Sequence, residues 1–270
     1  MTSALDILIV NFNTRDDLLA CLASVDAHPP SSPHQIFVVD NASSDGSVEA
    51  VRSQWPRIQI FPLTRNVGFG AANNVALRAS TAPLVLLLNS DTLVTRGSLD
   101  ALIARLTETG AVAAGPRLMD AEGRPEISYG SMLSPAAEFV QRLRQRAAMS
   151  SSRAARRYVS RLVAREREVD WVSGACLLVR RDAAIAAGLF DERFFLYEED
   201  VDFCAALRAD GGRILFTPHA ALVHLRGRSQ PAARRRSTAD YDRSHLAFYE
   251  KHAPVWAPWL RWWLKLRGRL

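Results

Sequence analysis

Three cysteines, Cys21, Cys176 and Cys204, are all the thiols that 270 residues offer. Odd in number, far apart and without C-x-x-C spacing, they exclude a disulfide framework and the usual zinc and redox motifs, and they fit a reducing compartment. No apolar run approaches the roughly 20 residues that a membrane-spanning helix needs. The start, with Asp6 inside its first apolar run, lacks the basic-then-apolar layout of a signal peptide. The expected location is therefore the cytoplasm, with the inner face of the plasma membrane as its peripheral variant. Also missing are G-x-x-x-x-G-K-[ST] and a G-x-G-x-x-G after the first strand candidate, which counts against a P-loop enzyme and a dinucleotide-dependent oxidoreductase. No internal repeat and no nucleic-acid reading motif is present, so nucleic acid is not an expected partner.

What is there suits a globular protein: 48% of the residues are apolar, enough for an ordinary core in one large domain or two small ones. The formal net charge of +6 favours an acidic partner. The excess lies between Arg142 and Arg167 and again after Arg226, which makes the partner question local. Over the first hundred residues, branched apolar runs alternate with segments of helical period, the pattern of βαβ units. Strands are expected at Leu5 to Val10, Ile36 to Asp40, Ile58 to Phe61 and Leu84 to Leu88. Thr14 and either Ser44 or Asp45 are the candidate caps of the first two helices, Gly68 to Ala79 is the third, and Ser98 opens a fourth that Gly110 ends. The Arg- and Ala-rich stretch from Pro135 to Glu168 reads as a helical insertion rather than a core element. A strand-like run follows at Val169 to Arg181, then a short helix ending at Gly188 and another over Glu199 to Ala209.

In an open α/β sheet, ligands sit beyond the carboxyl ends of the strands, and here those ends are polar. The first ends in Asn11, Phe12 and Asn13, the second in Asp40, Asn41 and Ser43, the fourth in Asn89, Ser90 and Asp91. Such residues also make ordinary turns, but three consecutive cases favour a site. Asp40 offers acceptors only, which suits the ring N–H of uracil or thymine, with Asn11 and Phe12 framing the base. Arg65, Asn66 and Gly68 precede the third helix, where a guanidinium, backbone N–H groups and a helix N-terminus together suit a diphosphate. A Gly-containing turn with a solvated Arg is the plainer alternative. Asp91, after four aliphatics, is a candidate ligand for Mg or Mn, although a lone Asp is more often a cap. His224 closes another apolar run and supplies the second ligand that a shared metal requires, or else is a structural histidine.

The densest acidic cluster is Glu198, Glu199, Asp200 and Asp202 at an expected helix start, where the macrodipole favours acids in any case. Phe194, Phe195, Leu196 and Tyr197 upstream are apolar enough to bring the cluster into a partly desolvated cleft, where a carboxylate can take a proton from a sugar hydroxyl. Near the C-terminus, Trp256, Trp259, Trp262 and Trp263 stand among Arg261, Lys265, Arg267 and Arg269. The 256, 259, 263 spacing puts three indoles on one helical face, suited to a bilayer interface or to packing on the domain or on a second copy in a homodimer.

Read in order, Val39-Asp40-Asn41-Ala42-Ser43-Ser44-Asp45-Gly46-Ser47, Asn66-Val67-Gly68-Phe69-Gly70, Leu86-Leu87-Leu88-Asn89-Ser90-Asp91, Val172-Ser173-Gly174-Ala175 and Phe190-Asp191-Glu192 with Tyr197-Glu198-Glu199-Asp200-Val201-Asp202 resemble family 2 of the inverting glycosyltransferases, within it the bacterial rhamnosyltransferase-like group. The likeness runs from about Leu5 to His224. It implies the GT-A nucleotide-diphospho-sugar transferase fold, an α/β architecture with a mainly parallel, Rossmann-like sheet flanked by helices. It places a catalytic domain at 1–225, with a nucleotide-binding half at 1–115, the insertion at 135–168 and an acceptor half at 169–225, followed by a basic-aromatic helical tail at 226–270. It implies further that Asn11, Phe12, Asn13, Asp40, Arg65, Asn66, Gly68, Asn89 and Ser90 hold the nucleotide, and that Asn89-Ser90-Asp91 stands in for the family's metal-binding D-x-D. His224 then completes the site for a divalent Mg or Mn, Trp171, Ser173, Gly174 and Glu199 adjoin the sugars, and Asp200 is the base. Asn89 replaces the first Asp of the D-x-D, so a single carboxylate faces the metal. The implied donor is dTDP-rhamnose or a UDP-sugar, and the acceptor is a glycan or lipid-linked acceptor of the cell envelope. Two rivals remain at this level: a sugar-nucleotide pyrophosphorylase, whose Gly-rich loop is here replaced by Asn11-Phe12-Asn13, and a non-catalytic carbohydrate- or nucleotide-binding module.

Overall fold

The computed structural model describes residues 3–225 and 231–269. The junction at 226–230, where the sequence places the start of the basic tail, lies outside the described residues. The chain begins with strict alternation: β1 (Leu5–Asn11), α1 (Arg15–Ala27), β2 (His34–Asp40), α2 (Ser47–Gln54), β3 (Gln59–Pro62), α3 (Phe69–Ala79) and β4 (Leu84–Asn89). It continues through β5 (Thr92–Leu93), α4 (Ser98–Thr109), β6 (Ala113–Met119), β7 (Tyr129–Gly130), α5 (Pro135–Ala148), α6 (Arg153–Leu162), β8 (Arg167–Val169), β9 (Trp171–Val172), β10 (Cys176–Arg180), α7 (Arg181–Ala186), α8 (Glu199–Ala209), β11 (Ile214–His224), α9 (Pro231–His252) and α10 (Ala257–Leu266).

The main sheet runs β3-β2-β1-β4-β10-β6-β11-β5, with β8 added on β11. Its first half is parallel, as short βα connections dictate. β10 runs against both β4 and β6, because the chain reaches it from the carboxyl end of the sheet, after β7 and β9 have paired with each other. The sheet as a whole is therefore mixed. β1 is buried along its whole length, and its side chains alternate between two cores. Ile7 and Ile9 meet Leu18, Leu22 and Val25 of α1 and Leu99, Leu102 and Leu106 of α4 on one face. Leu8 and Val10 meet Ala72, Ala76 and Leu77 of α3 and Phe203 and Leu207 of α8 on the other.

Two helix starts differ from the sequence expectation. Thr14 precedes α1, but its hydroxyl makes no cap bond; it donates to Asn11 Oδ1 at 2.7 Å and meets Ser90 Oγ at 2.9 Å. α2 starts after Gly46, which is left-handed at φ 80°, while Asp45 Oδ1 accepts from the Ser47 N–H at 3.1 Å. Gly110 ends α4 in the left-handed conformation, as expected.

A third core joins the C-terminal helices to the rest: Phe194 and Val201 pack with Leu246, Phe248 and Tyr249 of α9 and with Ala257 and Leu264 of α10. Asp202, 2% exposed, holds this joint through Lys251 Nζ at 2.8 Å and His252 Nε2 at 2.6 Å. In α10 the face turned inward is therefore Ala257 and Leu264, and Trp256, Trp259, Trp262 and Trp263 stay exposed. Among the described residues no helix is long and apolar enough to cross a membrane.

Candidate functional site

Parallel pairing brings the first strand ends side by side: Asn11 is in register with Asp40, and Val10 with Asn89. Asn11 and Asp40 are buried there. Asn11 Nδ2 donates to Asp40 Oδ1 at 2.9 Å and to Ser43 Oγ at 3.1 Å, and Asp40 Oδ2 accepts from the Ser43 N–H at 2.8 Å. Each Asp40 oxygen keeps acceptor capacity beyond these bonds. Asn41 shapes the next loop: its Oδ1 accepts from the Val67 N–H at 2.9 Å, and its Nδ2 donates to Asn66 Oδ1 at 2.9 Å. Asn66 Oδ1 in turn accepts from the Gly68 N–H at 2.9 Å. The result is a cavity of about 230 Å3 lined by Phe12, Asn66, Gly68, Asn89, Ser90 and Asp91, among others. Asn11 and Asp40, which are buried beneath it, and Asn13 and Arg65, which are exposed, line neither this cavity nor the larger one beside it.

The larger cavity, about 630 Å3, shares Phe69, Asn89, Asp91 and Leu196 with the first. Trp171, Ser173, Gly174, Glu199, Asp200 and His224 also line it, so most of the residues that the sequence singles out converge on one continuous cleft. On one side His224 Nε2 lies 3.2 Å from Asp91 Oδ1, and its Nδ1 lies 3.2 Å from Glu126 Oε2. Burial opposes the charged imidazole, but the bonds to Asp91 and Glu126 prevail and raise His224 to about 9. A carboxylate oxygen and an imidazole nitrogen, the latter oriented from behind by a second carboxylate, form a donor set that fits a divalent cation. The Asn89 Oδ1 is buried without a partner, a further oxygen available at this end of the sheet. No cluster of three His, Cys, Asp or Glu ligands occurs among the described residues, so phosphate oxygens and water have to complete the coordination of any such ion.

On the other side stands the acidic cluster. Tyr197 and Glu198 are both left-handed, with φ of 69° and 65°, and this corner turns the chain into α8. Phe195 O accepts from the Phe69 N–H at 2.9 Å, which pins the corner to the start of α3. Asp200 Oδ2 accepts from the Gly174 N–H at 2.9 Å, and Oδ1 from the Val201 N–H at 2.9 Å. Gly174 makes this approach close: a Cβ there would stand 3.4 Å from Asp200 Cβ and 3.3 Å from the Phe69 ring. Burial pushes the Asp200 carboxyl up to about 6, the Gly174 N–H holding it back and the charge of Glu198 adding to it. Glu199 lies deeper; burial, with Asp200 beside it, pushes it well above the usual carboxylate range, and its Oε2 has no hydrogen-bond partner. The cluster thus divides: Glu199 and Asp200 line the cleft, Glu198 lines it too but is tied to α9 through His245, and Asp202 lies outside it, held by Lys251.

Two contributors to the site, one behind the cleft and one in its wall, do not stand out in the sequence. Glu126 sits in a run of charged and turn residues that reads as solvated; the hairpin at Gly123, whose return is fixed by the Glu126 N–H donating to Leu118 O at 2.9 Å, brings it back under His224. Glu138, Gln141, Arg142 and Gln145 of α5 form a wall of the large cavity, so the Arg- and Ala-rich insertion is part of the cleft. Its polar spacing at 138, 142 and 145 is the signal that marks one helical face.

Residues 6–186 match the profile described as Glycosyl transferase family 2. Aligned over 295 positions, covering 100% of this chain and 91% of the relative, the sequence is 30% identical to the N-acetylglucosaminyl-diphospho-decaprenol L-rhamnosyltransferase of Mycobacterium tuberculosis. It is 28% identical to the O-antigen biosynthesis protein RfbC of Myxococcus xanthus, over 94% of this chain and 19% of that protein. Among solved structures, it is similar to the mannosyltransferase PcManGT of Pyrobaculum calidifontis in complex with GDP-Man and Mn2+, with a TM-score of 0.61 and 19% identity over 97% of this chain and 69% of that one. It is also similar to S. aureus TarS 1-349 in complex with UDP-GlcNAc, with a TM-score of 0.65 and 16% identity over 92% of this chain and 65% of that one. At such identities the two structures speak for a common fold.

Proposed function

The chain belongs to glycosyl transferase family 2, and on that premise we propose that it moves a sugar from a nucleoside diphosphate to a lipid-diphosphate-linked glycan of the cell envelope, with inversion at the anomeric carbon. Rhamnose carried on dTDP is the preferred donor, a choice supported by the name of the mycobacterial relative; a UDP-sugar is the alternative.

In this reading Asn11, Phe12, Asn13 and Asp40 receive the nucleoside, while Arg65, Asn66 and Gly68 adjoin the diphosphate beside Asn89 and Ser90; the Gly68 and Phe69 N–H groups are taken by Asn66 Oδ1 and Phe195 O, so the Arg65 guanidinium is the donor of that segment. Asp91 and His224 hold Mg or Mn, which when bound neutralises charge on the departing diphosphate. Asp200 takes the proton of the acceptor hydroxyl. The hydroxyl oxygen forms its bond to the anomeric carbon as the bond from that carbon to the phosphate oxygen breaks, and the nucleoside diphosphate leaves with the electron pair. Trp171, Ser173, Gly174 and Glu199 border the sugars. Burial, with the Asp200 charge beside it, favours the neutral form of Glu199, which presents an O–H donor rather than a second negative charge.

The observation that carries the proposal is the Asp200 carboxylate, fixed by the Gly174 N–H in the same cavity as the Asp91 and His224 pair. The test incubates the purified chain with nucleotide sugars, Mg or Mn, and a soluble acceptor bearing a sugar diphosphate. Nucleoside diphosphate release and the anomeric configuration of the product are measured for the parent and for Asp200→Asn. Release of pyrophosphate instead, a product of retained configuration, or no turnover with any donor overturns it.

A further inference from the structure

Beside the cleft lies a second cavity of about 740 Å3, walled by α5, α9 and α10. Phe139 of α5, Tyr241 and Tyr249 of α9, Trp256 at the start of α10, and Trp259 and Trp263 within it contribute aromatic rings to its lining. The three tryptophans are those that spacing puts on one face of α10, and they remain 49%, 67% and 37% exposed. Ala257 and Leu264 are the residues that α10 buries, and Leu264 lines the floor of the same cavity, so the indoles stand at the groove rather than in the core. Glu138, Arg142 and Tyr241 line both cavities. The aromatic groove is therefore continuous with the catalytic cleft at its acceptor side, and Arg142 stands at the junction.

The charges sort along this path. Glu138 is engaged by Tyr249, by His245 Nε2 at 3.3 Å and by Arg142 at 2.8 Å. Asp242 is held by both arms of Arg269, at 2.6 and 2.7 Å. Arg267 is stacked on the Trp263 ring at 4.3 Å and has no carboxylate partner among the described residues. Glu138 thus shares one charge among three partners and Asp242 is matched by Arg269, so the groove keeps a cationic excess carried by Arg142, exposed at the junction, and Arg267. A ligand that is anionic at one end and a long apolar chain at the other complements this arrangement.

We propose that this groove binds the first isoprenoid units of a lipid diphosphate acceptor, with the diphosphate at the Arg142 junction and the hydrocarbon lying on Trp259 and Trp263. The inference rests on the acceptor reading given above and deepens it. The enzyme then reads the lipid carrier itself, so that chain length, and not only the head sugar, sets the KM for the acceptor.

The test uses two soluble acceptors with the same sugar-diphosphate head, one on a single isoprene unit and one on a farnesyl chain. The expected result for the full chain is a KM lower by roughly tenfold for the farnesyl acceptor, a ratio that falls towards one in Trp259→Ala/Trp263→Ala and is largely kept in Trp259→Phe. Equal KM values in the parent, or the same ratio in parent and double variant, overturn the proposal. So does a double variant that loses only its association with vesicles of anionic lipid, or one that changes from dimer to monomer with the chain-length ratio intact; these results assign the tryptophans to a membrane surface or to a second copy. Should the parent use neither acceptor yet release nucleoside diphosphate with another, the acceptor reading fails first. Calorimetric titration with farnesyl diphosphate then decides the groove: binding that the double variant loses supports it, and no binding overturns it.

Discussion

His245 Nδ1 lies 3.0 Å from Glu198 Oε1, and both side chains are buried. The pair ties α9 to the left-handed residue that leads into α8 and Asp200. Because Nε2 of the same ring faces Glu138 at 3.3 Å, only the imidazolium donates to both glutamates. Burial disfavours that charge, but the bonds and charges of Glu138 and Glu198 prevail and raise His245 to about 9. A histidine raised above its unfolded value of 6.5 contributes stability that is fully present below 6.5 and is lost as pH rises through 9. The expected contribution is on the order of 3 kcal/mol. Urea unfolding of His245→Gln and the parent at the two ends of that window checks it: the stability gap between them should narrow as pH rises, and a constant gap refutes the anchor.

Asp200→Asn should keep the fold and donor binding while losing about 10²- to 10⁴-fold in kcat. The parent rate should climb with pH through about 6, where Asp200 loses its proton, and then level off. For a buried carboxylate raised in the fold, ionisation is destabilising, and the penalty grows as pH rises from 3.8 through 6. The asparagine variant should therefore match or exceed the parent in thermal stability above that range. Activity within tenfold of the parent, or a rate flat through pH 6, removes Asp200 from the role of base.

The N-terminal half is legible in the sequence because each strand there is short, apolar and followed by a helix of clear period, so the strand ends carrying Asn11, Asp40 and Asn89 line up from the residue pattern alone. β6 and β11 are harder. β6 contains Gly115 and Pro116, and β11 is interrupted by a register shift between Thr217 and Ala221, so neither shows an unbroken branched run. Asp200 and His224 are visible as polar residues closing apolar segments. Glu126 is not, because its burial comes from a hairpin return rather than from any local pattern. The division of the acidic cluster is equally hidden: Glu198 and Asp202 read as companions of Asp200, and only the packing of α9 supplies the His245 and Lys251 that hold these two. The indoles of α10 are legible as one face, but that this face opens on a groove beside the cleft depends on where α5 packs.

Gly68 is expected to tolerate no side chain. Its φ of 92° lies where L-residues are strained, and a Cβ would sit 2.4 Å from the Phe195 carbonyl oxygen. Gly68→Ala should cost about 2 kcal/mol or more, strain and clash together, or push the Phe195 corner away and lower kcat. Gly123 is a control, with φ of 74° and nothing within 4 Å of where an alanine methyl would stand; Gly123→Ala should cost about 1 kcal/mol and leave activity alone. Denaturant midpoints and steady-state rates for the two variants separate the cases, and equal effects remove the claim that the Gly68 contact shapes the site.

Glu126 offers the sharpest test of the metal reading, since it touches the pair from behind and not the cleft. Its Oε2 faces His224 Nδ1 at 3.2 Å, which leaves Nε2 as the nitrogen directed at Asp91. A carboxylate in that place fixes the tautomer and makes the imidazole a better ligand, and losing such a partner typically weakens metal affinity by about 10- to 100-fold. Glu126→Gln should raise the Mg or Mn concentration needed for half-maximal activity by that factor while kcat at saturating metal stays near the parent value. Asp91→Asn, which removes the one carboxylate facing the metal, should lower kcat even at saturation. If Glu126→Gln instead lowers kcat without changing the metal requirement, Glu126 only supports the fold around His224. If neither variant alters the metal requirement, the pair is structural, and the charge on the leaving diphosphate is met by the protein's own cations and N–H groups.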